Sequence, residues 1–259
     1  MPTLIEDFSS IIVRAQTWAL MANQDIGLRY RRSIIGPFWI SIAMVAMVLG
    51  IGTLYAEIMK QPYVEFLTYF GCGILAWTLL STMITESCLI LTESESHLRS
   101  VPIPIPLLAA RMVYRNFVIF LHNAVVILIM LALFGHNFTP VMILALLGVF
   151  AYLFVGLTAA IVLGPLCARF RDITQLVATV MQILFFLTPI FWVPGASLSR
   201  PIVLDLNPFY HLIEIVRKPL MGEFPSATNW SVTLGLLVVL GVAAVIVQAS
   251  CRKKVYQWL

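Results

Sequence analysis

Six stretches of mostly apolar residues, at approximately 36–57, 66–91, 107–134, 141–166, 174–193 and 231–250, limit what this chain can become more than any other feature. A bilayer's hydrocarbon core is about 30 Å thick and a helix rises about 1.5 Å per residue, so roughly 20 apolar residues suffice to cross it. Each stretch meets that length, and together they take up more than half of the 259 residues. Composition points the same way: 61% of residues are hydrophobic and 11% charged, against roughly 45–50% and about 25% in soluble domains. The expectation is an all-α integral membrane protein with six transmembrane helices in a single domain, 1–259. Within it, 1–35 form an interface helix and basic segment, 36–250 the six-span bundle and 251–259 a tail.

What is missing narrows the function. There is no GxxxxGK[ST] phosphate loop and no room for a nucleotide-binding domain, so any ATP-Mg chemistry belongs to another subunit and this chain binds no cofactor itself. HExxH, GxSxG and DxD patterns are absent, and Asp205, Glu214 and Glu223 are dispersed, which argues against an enzyme. The cysteines Cys72, Cys88, Cys167 and Cys251 include no CxxC pair, so neither a disulfide framework nor a metal site is indicated.

Orientation follows from where the basic residues collect. Of 16 lysines and arginines, 12 fall on the side that holds both termini, which places the termini in the cytoplasm. No cleavable signal precedes the first apolar run. The net charge of +4 then lies at span ends, among anionic headgroups, and does not call for nucleic acid.

Along the chain, residues 4–22 have the three- and four-residue spacing of an amphipathic helix lying on the cytoplasmic surface, with Trp18 at headgroup depth. Arg29, Arg31 and Arg32 then run into Gly36-Pro37, where proline breaks the helical hydrogen-bond pattern at the membrane boundary. Between the second and third spans, Thr92 to Arg99 reads as a short helix followed by the stiff Pro102, Pro104, Pro106 segment. Asp172 is placed to cap the fifth span. Nearly 40 residues separate the fifth and sixth spans; within them Asn207 to Arg217 has helical spacing and apolar content but is too short to cross, and a re-entrant pair of short helices fits.

Polar groups inside the spans are few. Glu86, about five residues before the end of the second span, and Arg115, about eight after the start of the antiparallel third, have matched depths and are expected to form an ion pair. His122 and Asn123 read as interhelical hydrogen-bonding groups. Trp39, Phe66, Tyr69, Phe70 and Trp77 cluster on the first two spans, where they form either interfacial belts or an aromatic lane on which sugar rings could stack.

The ordered set Tyr30-Arg31-Arg32-Ser33-Ile34-Ile35-Gly36-Pro37-Phe38-Trp39, Arg171-Asp172-Ile173, Thr188-Pro189-Ile190 and Asn207-Pro208 with Glu214 and Arg217 resembles the membrane subunit of bacterial type-2 ABC exporters for polysaccharides, the O-antigen and capsule (Wzm-like) permeases. The resemblance implies an inner-membrane homodimer with a pore at its interface, paired with two cytoplasmic ATPase subunits and moving lipid-linked polysaccharide, with undecaprenyl pyrophosphate as the anchor. It implies that Glu93, Glu95, His97, Arg99, Arg171 and Asp172 face the ATPases and that Gly36 and Pro37 shape a gate. Arg29, Arg31 and Arg32 would then attract the lipid's phosphate. The alternatives are a small-molecule or drug exporter of the same fold and a membrane enzyme acting on lipid-linked sugars.

Overall fold

The first helix, α1 (Leu4–Val13), starts at a capping box in which the Thr3 hydroxyl accepts from the Glu6 amide and the Glu6 carboxylate from the Thr3 amide. The computed structural model describes the chain from Thr3 onward, apart from residues 30, 32, 34, 37, 96, 97, 99–102, 195–201, 253, 256, 257 and 259 and the side chains at 202 and 203. Arg14 leaves helical geometry at φ −107° and ψ 31°, and α2 (Ala15–Arg29) follows it. The single surface helix expected over 4–22 is therefore two. The halves have separate anchors: Asp7 of α1 accepts from Gln248 near the chain's end, while Asp25 of α2 accepts from Arg111.

Among the described residues, five helices are long and apolar enough to cross a membrane: α3 (Phe38–Ile58), α4 (Tyr63–Ser87), α5 (Ile105–Leu133), α6 (Leu144–Arg169, led in by a 3-10 turn at Pro140–Ile143) and α10 (Ala227–Cys251). The helix at the expected fifth span, α7 (Asp172–Leu187), is apolar but has only 16 residues. Two short helices follow, α8 (Ile202–Leu206) and α9 (Pro208–Leu220); Asn207 caps α9 by accepting from the Phe209 amide, and Pro208 fits its first turn, where no donor is needed. No strand occurs among the described residues.

The bundle is built around α4. Its most apolar stretch is 72% buried, against 22% for α3 and 11% for α10, and it packs on α3, α5, α6, α7 and α9. The α5 and α6 helices form its back, while α3 and α7 sit on opposite flanks with little contact between them. Because Asp7 meets Gln248 at 3.1 Å, both ends of the chain lie at one end of the bundle, called proximal below; α9 lies at the distal end.

Small residues on α6 set how closely its neighbours approach, as is usual where helices pack in lipid. A side-chain carbon added at Gly148 would lie 2.7 Å from the Ile215 backbone oxygen, and one at Gly156 would lie 2.6 Å from Met83 Sδ. The methionine can move; the α9 backbone cannot without undocking. A Gly148→Val variant should therefore lose about 1–3 kcal/mol and melt well below Gly156→Ala in a detergent thermal-shift assay.

Candidate functional site

The open flank of α4 between α3 and α7 is polar. Thr78, Ser81, Thr82, Thr85 and Glu86 follow one face of α4 and are all half-buried, in a helix whose other sides are core. The threonine hydroxyls donate to carbonyls four residues back, Thr78 to Ile74 at 2.7 Å, Thr82 to Thr78 at 2.7 Å and Thr85 to Ser81 at 2.9 Å, which leaves their oxygens able to accept from a visitor. On the neighbouring α7, Gln175, Thr179 and Gln182 lie on one exposed stripe. An amide facing hydrocarbon has no partner for its donors, so such a face in a bilayer is covered by water, ligand or another chain.

Beside this flank lies a cavity of about 110 Å³ between α3, α4 and α5, lined by Arg29, Thr78, Thr82, Glu86, Asn116 and Asn123 among others. Ser41 of α3 donates to Asn123 Oδ1 at 3.1 Å, so Asn123 is the interhelical group its position suggested.

A charge network closes the proximal end. Arg111 donates to both oxygens of Asp25, at 2.7 and 2.5 Å, a bidentate pair that ties α2 to α5. Arg115 donates to Glu86 at 2.8 Å and to Asp25 at 3.3 Å and approaches Glu93 at 3.9 Å; Asn116 and Arg29 also donate to Glu86, at 2.6 and 3.4 Å. Among the described residues three arginines face three carboxylates, a balanced set that joins α2, α4 and α5. Glu86 and Arg115 were paired from sequence, but Asp25 was not. Its signal was spacing: Asp25 and Arg29 are four apart, as are Arg111 and Arg115, which presents two two-residue stripes to each other.

The distal end is held by a second cluster. Arg217 of α9, 2% exposed, donates to the Pro189 carbonyl, pairs with Glu214 and lies 4.0 Å over the Tyr69 ring. The Tyr69 hydroxyl donates to the carbonyls of Pro189 at 2.9 Å and Trp192 at 3.3 Å. Burial opposes the charge on Arg217, but the charge and hydrogen bond of Glu214, together with the neighbouring Tyr69 and Tyr210, outweigh it and raise the arginine's pKa above its ordinary value. Burial also lifts the Tyr210 phenol above its usual range, and the Glu214 charge adds to it. Asn207 donates to Thr188 Oγ1 at 3.0 Å, so the segment after α7, α9 and α4 are locked together around non-helical backbone whose carbonyls at Pro189 and Trp192 are satisfied.

The other expected site residues fall in different places. Trp39 is exposed at the start of α3, and Gly36 takes φ +62°, a left-handed turn that favours glycine, with its amide donating to Ser33 Oγ at 3.0 Å. Arg29 and Arg31 are exposed; Arg32 and Pro37 lie outside the described residues. Phe66, Phe70 and Trp77 are core, 2%, 0% and 6% exposed, with Trp77 packed on Phe185 and Phe209. These rings and the bound Tyr69 do not form an open aromatic lane, because α4 is the central helix and its apolar faces are consumed by its neighbours. Glu93 is exposed and Glu95 half-buried; His97 and Arg99 lie outside the described residues. Arg171 and Asp172 are exposed at the proximal tip between α6 and α7. Asp172 is the first residue of α7, not its cap, and acts on the helix dipole from there; the cap position is Arg171, which makes no side-chain cap bond.

Residues 15–221 match the family described as ABC-2 type transporter. Among curated proteins, the chain is similar to the O-antigen export system permease protein RfbA of Myxococcus xanthus, 23% identical over 197 residues that cover 74% of this chain and 75% of that one. The family match takes in all of α2, every helix from α3 to α9, the charge network and the Arg217 cluster. This chain belongs to the ABC-2 type transporter family, as a multi-pass membrane permease subunit.

Proposed function

We propose that this chain is the permease half of an exporter that passes lipid-linked O-antigen or a related polysaccharide from the cytoplasm across the bacterial inner membrane. The observation that carries the reading is the polar flank of α4 and α7. A hydrated glycan needs many exchangeable, uncharged hydrogen-bonding groups and no tight pocket, and a row of threonine, serine and glutamine side chains supplies them. The O-antigen export relative supports the substrate class. A small apolar drug would favour an enclosed apolar pocket, and this flank is neither.

The same geometry supports the rest of the assembly. One protomer leaves the flank open between α3 and α7, so a second copy is needed to close it into a channel. Since both chain ends lie proximally, the chain crosses an even number of times, and α7 with the residues after it makes the sixth crossing beside the five long helices. The basic proximal end is cytoplasmic, and α8 and α9 re-enter from the periplasmic side. Glu93, Glu95, Arg171 and Asp172 face two ATPase subunits, which bind ATP-Mg. Arg29, which lines the 110 Å³ cavity, and Arg31, two residues on, attract the phosphate of an undecaprenyl pyrophosphate anchor, with Gly36 shaping the gate.

Leucines at Gln175 and Gln182 test the flank. Two lost amide contacts of about 0.6 kcal/mol each would slow export roughly tenfold. Surface polysaccharide should fall and lipid-linked polymer accumulate inside, with the permease present at its normal level. Undiminished export by the double variant would show that the polar face is not the path.

A further inference from the structure

The final residues of the chain join two proximal elements that are far apart in sequence. Asp7 of α1 accepts from Gln248 at 3.1 Å and pairs with Arg252 at 3.5 Å. Val255 is 1% exposed, seated in the core, and Trp258 packs against that core from its edge. The Trp258 ring lies 5.3 Å from Arg169 Cζ, and the Phe170 ring lies 5.2 Å from the same atom, both within cation–π range. The tail is therefore pinned at one end to α1 and at the other to the tip between α6 and α7.

That tip has the chemistry of a docking surface. Phe170 is 50% exposed, with the Arg169 guanidinium on one face of its ring, and its neighbours Arg169 and Arg171 are exposed, with Asp172 the carboxylate next in sequence. A basic rim around a protruding aromatic ring is complementary to an apolar socket with acidic edges.

We propose that Arg252, Val255 and Trp258 form a strut that makes α1 and the Arg169–Asp172 tip one mechanical body, and that this body, with Phe170 as its anchor, seats in an acidic-rimmed socket on the ATPase subunit. The inference rests on the reading that the proximal end faces an ATPase. Trp258 is a positioning residue: it holds Arg169, and Arg169 and Phe170 meet the partner. Force on the tip then reaches the surface helices through the tail as well as through the spans.

The test uses the purified permease–ATPase complex in nanodiscs, comparing the parent with Trp258→Ala, Trp258→Phe and Phe170→Ala. Trp258→Ala should leave the complex assembled and hydrolysing ATP, while hydrogen exchange rises both at 169–173 and in 4–13. Glycan moved per ATP should fall about two- to fivefold, the size of one exposed cation–π contact. Trp258→Phe keeps a ring and should restore both readouts, and Phe170→Ala should weaken ATPase binding. Parental exchange and coupling in Trp258→Ala would overturn the strut, as would a Trp258→Phe variant as impaired as the alanine. A parent permease that retains no ATPase would instead overturn the assignment of the proximal end, and the docking surface with it.

Discussion

An Arg217→Met variant should lose about 3–5 kcal/mol, the usual cost of stranding one member of a buried ion pair. Both side chains are almost wholly inside protein, Arg217 at 2% and Glu214 at 4% exposed, so the remaining carboxylate would have little water to turn to. Lys218, 3.8 Å from Glu214 and partly exposed, returns only a fraction of the compensation. The double variant Glu214→Leu, Arg217→Met should recover much of the loss, because well-packed apolar replacements of buried pairs are often close to neutral. Recovery should stop short of the parent, since the Pro189 carbonyl loses a donor and the Tyr69 ring its cation. Thermal unfolding of the detergent-solubilised protein reads all three. A double variant no better than Arg217→Met would mean that the guanidinium's bonds to backbone, not its charge balance, hold the distal end.

The second large effect concerns the proximal network. Arg115→Glu should be severely destabilising, by about 2–5 kcal/mol, because it places a carboxylate against Glu86 and Asp25 together. Swapping the pair, Glu86→Arg with Arg115→Glu, would rescue an isolated ion pair. Here it should rescue less than half. The carboxylate introduced at position 115 would still face Asp25, and the guanidinium introduced at position 86 would face Arg29 and could not accept the bond from Asn116. Adding Asp25→Asn and Arg29→Gln to the swap should raise recovery further. Full rescue by the two-residue swap alone would show that Asp25 and Arg29 are energetically idle.

The contrast between those two sites shows where sequence reasoning succeeds and stops. Span positions are legible because crossing lipid demands an unbroken apolar length, and the helices from Phe38, Tyr63, Ile105, Leu144 and Ala227 begin within a few residues of the expected starts. The Glu86–Arg115 contact is legible because antiparallel neighbours put matched depths side by side. The aromatic lane failed for a complementary reason. The apolar faces of such a helix fit equally at a bundle's centre or in lipid, and nothing in the order Phe66, Phe70, Trp77 says that α4 would be central. Its hydroxyl stripe was equally visible in sequence, yet threonine bonded to its own helix carries no sign of which way it faces. The break at Arg14 was hidden because both halves continue one apolar spacing, and only tertiary anchors at Asp7 and Asp25 separate them.

The most direct measurement is made in the native host with the gene deleted, staining surface polysaccharide and assaying lipid-linked glycan in the cytoplasmic membrane side by side. Restoring the parent gene and restoring the Gln175→Leu, Gln182→Leu variant complete the comparison. Export through the α4–α7 flank predicts that deletion empties the surface while finished lipid-linked polymer builds up inside, that the parent reverses both, and that the variant reverses neither fully. Loss of polymer from both places on deletion would contradict it, because the chain would then be needed to make the glycan and not to move it.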